Sequence, residues 1–465
     1  MVAATASDDA GVMTSINELR KQVTRVVAPD DPDYDTARAV WNGMIDRRPA
    51  AVVPAANVND VIAAVNFARD AGLPLAVRGG GHSSPGYGTI DDGLVIDLSP
   101  MRSVEVDATA RTARVGGGAT LADLNDATHA HGLAVPGGIV STTGVGGLTL
   151  GGGIGYLTRG FGLSIDSLRS VDVVTADGQL RRASESENAD LFWALRGGSG
   201  NFGVVTSFEF DLHPVDQVVV GLFFYELEHA GDLLRFFRAW IPEADERYGA
   251  FPAFQVAPPL PFLPEDRHGD TLCAAVVHWS GPVEEGETAM QPFRDLAPRV
   301  GEMVGPMPYP WLNSAFDELF PRGVRSYWKG NYVTELTDEA IEVHLAHGPK
   351  APNASSTMHL YSINGAASRV GATDTAFSYR HATFSTVIVS AWPDASDDAA
   401  NIAWVRDYAD ALTPHSEAGG YVNFMSDDDQ GRVTDTYGSN YARLRKVKQA
   451  YDPENLFSHN QNIAP

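Results

Sequence analysis

Glycine is concentrated in three segments of the first half of the chain: RGGGHSSPGYG (78–88), PGGIVSTTGVGGLTLGGGIG (136–155) and RGGSGNFGVVTSF (196–208). Each glycine gives up backbone entropy on folding and offers no side chain to pack, so long regular elements are disfavoured there. From about Ser141 to Gly162 neither a regular helix nor a regular strand is expected. One such cluster reads most simply as a tight turn. Three of them, each beside a strand, favour a ligand lying along exposed backbone N–H groups, as a pyrophosphate does.

The flanking sequence supplies those strands. AVVP (51–54), an amphipathic run with Val58, Val61, Ile62, Val65 and Ala68 on one face, and LPLAVRGGG read as strand, helix, strand, with Gly72 as the helix stop. LVIDLS, the alternating pair in SVEVDATARTARVG, and a helix opened by Thr120 with Leu121 and Leu124 follow. After SFEFDLHPV (207–215) the glycine density falls, and VAPPLPFLPEDR interrupts mixed strands and helices running to about Gly420. The tail holds a helix from about Ser439, with Tyr441, Leu444 and Val447 on one face, ended by Asp452-Pro453. At 465 residues two domains are expected, of α+β class.

Composition narrows the function classes. With 59 acidic against 34 basic residues and a formal charge of −25, the surface repels phosphate backbones, so nucleic acid is not an expected partner. The lone cysteine, Cys273, excludes an internal disulfide and multi-thiolate metal centres, and is read as a free core thiol. No apolar run is long enough to span a bilayer. MVAATASDDAGVMTSINELRKQ lacks a basic segment followed by an apolar one, so a cytoplasmic location without membrane association is expected.

Specific motifs are then tested. Gly198-Ser199-Gly200-Asn201-Phe202-Gly203 matches G-x-G-x-x-G, but ADLFWALR before it reads as helix and VVTSFEF after it as strand. That order is the reverse of a Rossmann fingerprint, and an NAD-type site is rejected. There is no G-x-x-x-x-G-K-[ST] and no H-E-x-x-H, and no metal site is expected. Asp427-Asp428-Asp429 lacks the spacing of a calcium loop and is read as solvated.

Four ordered strings, PLAVRGGGHSSPGYG, PGG…TTGVGGLTLGGGIGYLTRGFGLSIDSL, DLFWALRGGSGNFGVVTSFEF and YGSNYARLRKVKQAYDPENLFSHNQNI, resemble the berberine-bridge-enzyme-like FAD-linked oxidases. These belong to the vanillyl-alcohol oxidase type of flavoprotein. The resemblance implies a FAD-binding domain made of residues 1–213 and a returning segment 421–465, with an inserted α+β substrate domain, 214–420, whose antiparallel sheet roofs the flavin ring. It makes His82 the ligand joined covalently to the flavin 8α-methyl, with Arg78, Gly79, Gly80, Gly81 and Ser83 around the cofactor. A neutral imidazole is a competent nucleophile near pH 7, so histidine suits that bond. Relatives with a second flavin link carry a cysteine where Val140 stands here, so a single histidyl link is expected. Pro136, Gly137, Gly138, Thr142, Gly144, Gly146, Gly147, Leu148 and Gly153 are assigned to the FAD channel, and Gly203 and Val205 to the adenine end. Asn440 and Gln461 match positions that return to the cofactor domain.

Hydride leaves an alcohol or amine carbon more readily when the attached proton is removed at the same time, so a base is needed. In YVNF, strand alternation puts Tyr421 and Asn423 on one side, and the family's Y-x-N motif makes Tyr421 the candidate base and Asn423 the orienting group. A tyrosine acting as base near neutrality needs a shift of several units from about 10. Tyr327, His359 and Tyr361 are further candidates fixed by no motif, and Thr143 stands at the position that gates oxygen in the family. The expected function is oxidation of a hydroxyl-bearing carbon of a sugar or secondary metabolite, with electrons returned to O2 or another acceptor, by a monomer or homodimer. Oxidation at a C–N bond and non-catalytic flavin binding are the alternatives.

Overall fold

A strand buried on both faces reads as continuous apolar sequence. Such runs form a three-stranded parallel sheet ordered Ala51–Pro54, Leu94–Asp97, Leu75–Arg78 in the computed structural model, which describes residues 16–465. The reading of the N-terminus falls largely on residues 1–15, outside the described residues. Val58–Ala71 is helical, capped by the Asn57 side chain, which accepts from the Asn59 and Asp60 N–H groups. Gly72 ends it in the left-handed region at φ 64°, where glycine meets no Cβ penalty. Thr120 and Asp123 form a capping box at the start of Leu121–His129.

The alternating segments build a five-stranded antiparallel sheet, ordered Val104–Asp107, Thr112–Gly116, Val204–Asp211, Leu168–Val174, Leu180–Ser184. The helix Ala189–Leu195 precedes Val204–Asp211, so the helix-then-strand order that argued against a Rossmann site is what the chain adopts. Tyr441–Tyr451 packs Leu444 and Val447 into the same apolar cluster as Leu191 and Phe192. Its Lys448 is fully buried with Asp452 at 2.6 Å and also donates to the carbonyls of Asn201 and Phe457. Breaking such a pair by removing one partner costs about 3–5 kcal/mol, so the C-terminal segment is held firmly against the 196–208 loop.

The middle of the chain forms a seven-stranded antiparallel sheet, ordered Arg299–Pro308, Gln217–Tyr225, Thr271–Trp279, Tyr248–Val256, Thr357–Ser362, Phe384–Trp392, Arg325–Val333. One face packs against helices: Met358, Leu360 and Ile388 share an apolar cluster with Leu233, Phe237, Val405 and Tyr408. The opposite face carries Tyr361, Val387 and Val389 toward the glycine-rich half of the molecule. Cys273 is a buried free thiol in this sheet.

Three sequence expectations are corrected. Short helices, Val145–Leu150 and Thr158–Phe161, do form inside the 141–162 segment, because a turn or so of helix needs little from each residue when neighbours pack against it. YVNF is not a strand: Val422–Phe424 is a single 3-10 turn. The Asp427–Asp429 run is not uniformly solvated, since Asp429 is 3% exposed, caps its own turn with Ser426 and meets Lys329 at 2.7 Å. Among the described residues no helix is long and apolar enough to cross a membrane.

Candidate cofactor and active site

A cavity of about 310 Å³ opens where the three glycine segments, the bare face of the seven-stranded sheet and the C-terminal segment converge. One wall is backbone. Gly80 and Gly144 face each other so closely that a Cβ on Gly80 would lie 2.7 Å from the Gly144 Cα, which glycine alone tolerates. Gly81 turns the chain at φ 73° and presents His82 at the cavity edge. The His82 imidazole stacks on Trp41 with centroids 5.0 Å apart, and its Nε2 meets the Thr142 hydroxyl at 3.0 Å. Burial, helped by the Arg322 charge, pulls its pKa down to about 4, so the ring is neutral at pH 7.

Arg78, Gly79, Gly80, Gly81, His82 and Ser83 all line this cavity, as do Gly138, Gly144, Gly146, Gly147, Leu148, Gly203, Val205 and Gln461. Arg78 contributes its stem only. Its guanidinium is buried against Asp97 at 2.9 Å and donates to the Ala37 and Ala39 carbonyls, so it holds the strand end rather than facing the cavity with free donors. Thr142, exposed and not part of the lining, meets His82 from outside it, and Pro136 and Gly137 sit one layer back, the Pro136 carbonyl accepting from Ser164 Oγ at 2.6 Å. Asn440 is not brought to the cavity; its amide donates to the Ala372 carbonyl at 2.7 Å and to Thr375 and Ala376.

Tyr421 and Asn423 meet in the cavity although no strand aligns them. The Tyr421 hydroxyl oxygen accepts three N–H donors: Gly153 at 2.9 Å, Ile154 at 3.3 Å and the Asn423 amide at 2.9 Å. Asn423 also donates to the Leu148 carbonyl at 3.0 Å, which fixes its own rotamer. The run Gly151-Gly152-Gly153 makes this possible. A Cβ at Gly151 would collide with Asn423, and one at Gly152, whose φ is 129°, would lie 2.9 Å from the Phe377 ring that packs against Tyr421. Gly153, assigned from sequence to the cofactor channel, is therefore a donor to Tyr421 and does not line the cavity. Burial raises the Tyr421 pKa, while the three donors pull against that rise by favouring the phenolate.

The other wall is side chains. Trp41, Phe320, Trp328, Val387, Val389 and Phe424 supply an apolar surface, with His359 and Tyr361 among them. Thr143 and Val140 line the cavity as well, whereas Tyr327 does not; its hydroxyl meets Asp428 at 2.7 Å. Sequence reasoning did not single out Trp41, Trp328, Phe424, His459 or Asn460. Asn460 adjoins Gln461 in HNQNI and was within reach of the same motif; the aromatics carry no local signal. The Oδ1 of Asn460, Oε1 of Gln461 and Nε1 of Trp328 are buried without hydrogen-bond partners among the described residues. Buried polar atoms are nearly always paired, so three orphans around one cavity mark where a ligand bonds.

Comparison with known proteins gives concordant results. The FAD binding domain family matches residues 49–184, and the berberine and berberine-like family matches residues 420–464. An uncharacterized FAD-linked oxidoreductase, YgaK of Bacillus subtilis, is 32% identical over 458 residues, covering 96% of this chain and 98% of that protein. (R)-6-hydroxynicotine oxidase of Paenarthrobacter nicotinovorans is 30% identical over 450 residues, covering 95% and 96%. The crystal structure of 6-hydroxy-D-nicotine oxidase from Arthrobacter nicotinovorans superposes with a TM-score of 0.84 at 28% identity, covering 95% of this chain and 98% of that one.

Proposed function

The chain belongs to the berberine-bridge-enzyme-like FAD-linked oxidoreductases of the vanillyl-alcohol oxidase type, and from that premise we propose that it oxidises a hydroxyl-bearing carbon of a small organic substrate, with Tyr421 as the base. The observation that carries this reading is the trio of N–H donors on the Tyr421 oxygen at the cavity wall. Donors pre-aimed at an oxygen where charge develops favour the anion without reorganisation.

The residues present fit FAD. Gly147 lines the cavity and a Cβ added there would meet nothing within 4 Å, so its place is open for a flat group pressed on the backbone. The orphaned Asn460 and Gln461 oxygens would offer two acceptors to such a group. Residues 1–213 with 421–465 would hold it and 214–420 would cover it. His82 is neutral, and in the tautomer whose Nε2–H donates to Thr142 its Nδ1 lone pair would be the one available for a single covalent link. Val140 lines the cavity where a second, cysteinyl link would otherwise form. Thr143 beside it leaves a small side chain on the path by which O2 would enter. Bound there, FAD supplies the acceptor for the substrate's hydride and passes the electron pair on to O2 or another acceptor.

Tyr421 Oη accepts the hydroxyl proton as the C–H bond is lost; a protonated phenol oxygen accepts at most two hydrogen bonds, so the longest of the three, from Ile154 N–H at 3.3 Å, gives way while Gly153 and Asn423 hold the oxygen in place. The aromatic wall excludes water. Since burial raises the Tyr421 pKa, the ionised base grows with pH, and kcat/KM is expected to climb through the alkaline range. Anaerobic mixing of the holoenzyme with a panel of alcohols tests the assignment. The flavin absorbance should bleach in wild type and about 100-fold or more slowly in Tyr421→Phe, the usual scale for loss of a general base. Equal rates in the two proteins would remove Tyr421 from the role. A second reading, oxidation at a C–N bond, is favoured by the 30% identity to (R)-6-hydroxynicotine oxidase; bleaching by amines and not by alcohols would select it.

A further inference from the structure

Resting on the reading that His82 carries a covalent flavin link, we propose that Trp41 and Thr142 are the positioning residues for that bond. Trp41 sets the plane of the His82 imidazole and Thr142 sets its flip, so that one ring nitrogen is aimed for attachment. The outer side-chain torsion of a histidine is broad and roughly two-fold, so an imidazole needs two independent restraints. A stacked ring fixes the plane but is blind to a half-turn, which exchanges nitrogen for carbon around the ring edge. A hydrogen bond to one nitrogen tells the two flips apart. Both restraints meet at His82: the Trp41 ring lies 24° from parallel with centroids 5.0 Å apart, and the Thr142 hydroxyl stands 3.0 Å from Nε2.

Trp41 is itself held from both halves of the molecule. Its N–H donates to the carbonyl of Gly81, the residue before His82, at 3.0 Å, and its own carbonyl accepts from Gly323 N–H at 2.9 Å. The Asn42 amide, 2% exposed, donates to the Ser84 carbonyl at 2.7 Å and the Ser326 carbonyl at 2.9 Å, and its oxygen accepts from Ser326 N–H at 3.1 Å. Gly43 completes the crossing, since a Cβ there would lie 2.0 Å from the Gly323 oxygen. Residues 41–43 are thus a strap between the His82 loop and the start of edge strand Arg325–Val333. The Trp328 ring meets Trp41 edge-on at 6.0 Å, which stops the indole from swinging away. Core packing alone does not account for a tryptophan so braced that stacks on a histidine at the cavity edge.

The aim matters because of what the bond requires. In the tautomer whose Nε2–H donates to Thr142, the free lone pair is on Nδ1, and it forms an N–C bond to the flavin 8α-carbon. One methyl C–H bond breaks and the imidazole N–H proton is released. The two electrons leaving the methyl carbon pass with these two protons to the flavin ring, and O2 then takes both pairs as hydrogen peroxide. After attachment Nε2 carries no proton and accepts from the same Thr142 hydroxyl, a group that donates as well as it accepts.

The test follows attachment, not turnover. Full-length apoprotein from riboflavin-starved cells is mixed with FAD in air, and aliquots are denatured in acid at intervals to count the flavin retained on the polypeptide. Trp41→Leu and Thr142→Val should each attach flavin about ten-fold or more slowly than wild type, the scale on which misaligned reacting atoms lose rate. Trp41→Phe and Thr142→Ser keep the stack and the hydroxyl and should restore the wild-type rate. Quenching of flavin fluorescence before attachment reports non-covalent binding, which should match wild type in all four variants and certifies their fold. Thr142 is exposed, so Thr142→Val and Thr142→Ser decide the matter even where Trp41→Leu folds poorly. Attachment at the wild-type rate in Thr142→Val or in folded Trp41→Leu would overturn the proposal, as would loss of non-covalent binding in step with attachment. Failure of the covalent reading registers separately, as wild type that retains no flavin in acid.

Discussion

The two walls of the cavity are made in opposite ways. The wall built from 78–88, 138–148 and 199–205 is largely backbone, with approaches such as Gly80 against Gly144 that leave no room for a Cβ. The wall built on the seven-stranded sheet is side chain, its residues alternating with those that enter the core behind the sheet. A backbone wall suits a ligand that never changes, and a side-chain wall suits one that differs between relatives. On the proposed function, FAD binding would belong to the first and substrate choice to the second.

The sharpest break of that comparison is His82→Ala. Wild type denatured in acid should keep its yellow flavin on the polypeptide and the variant should release all of it; release from wild type would remove the covalent link while leaving the backbone wall intact. Next in size is Gly144→Ala, where the new methyl meets the Gly80 backbone. Backbone cannot swing aside as a side chain does, so a cost of about 3 kcal/mol or more is expected, read as a fall in Tm with or without cofactor. Gly147→Ala separates cofactor from fold, because its Cβ meets nothing and alanine favours the helix Val145–Leu150 by about 1 kcal/mol. The apoprotein should melt no lower than wild type while FAD content drops; full FAD loading would show that this part of the wall is not the cofactor's. Trp328→Phe tests the other wall. It should leave FAD content unchanged and weaken substrate binding about three-fold, through loss of the unpaired Nε1 donor. Smallest of all is Cys273, whose thiol is pushed up to about 12 by burial; thiol reagents at pH 8 should leave activity and Tm unchanged.

The glycine motifs were legible because glycine reports a local backbone need that sequence displays directly. They nevertheless served two purposes that sequence could not separate. Gly80, Gly144 and Gly147 line the cavity, while Gly151 makes room for Asn423 and Gly153 donates its N–H to Tyr421. Tyr421 and Asn423 do meet at the cavity, but the strand alternation used to align them does not exist. A 3-10 turn and the donors of a segment some 270 residues earlier in the chain hold them instead. Asn440 shows the converse: its motif is present, yet its amide is spent on the 372–376 loop.

By itself the sequence determined the α+β class, the capped helices, the glycine-lined cavity wall and the family, since each depends on short-range rules of period, capping and missing side chains. The tertiary structure decided which side chains face the cavity and which donors they keep. Trp41 against His82 and Phe424 between Tyr361 and Tyr421 arise from strands and loops distant in sequence. Strand alternation states only that His359 and Tyr361 share a face; the packing of the sheet on the glycine-rich half makes that face the inside of a site.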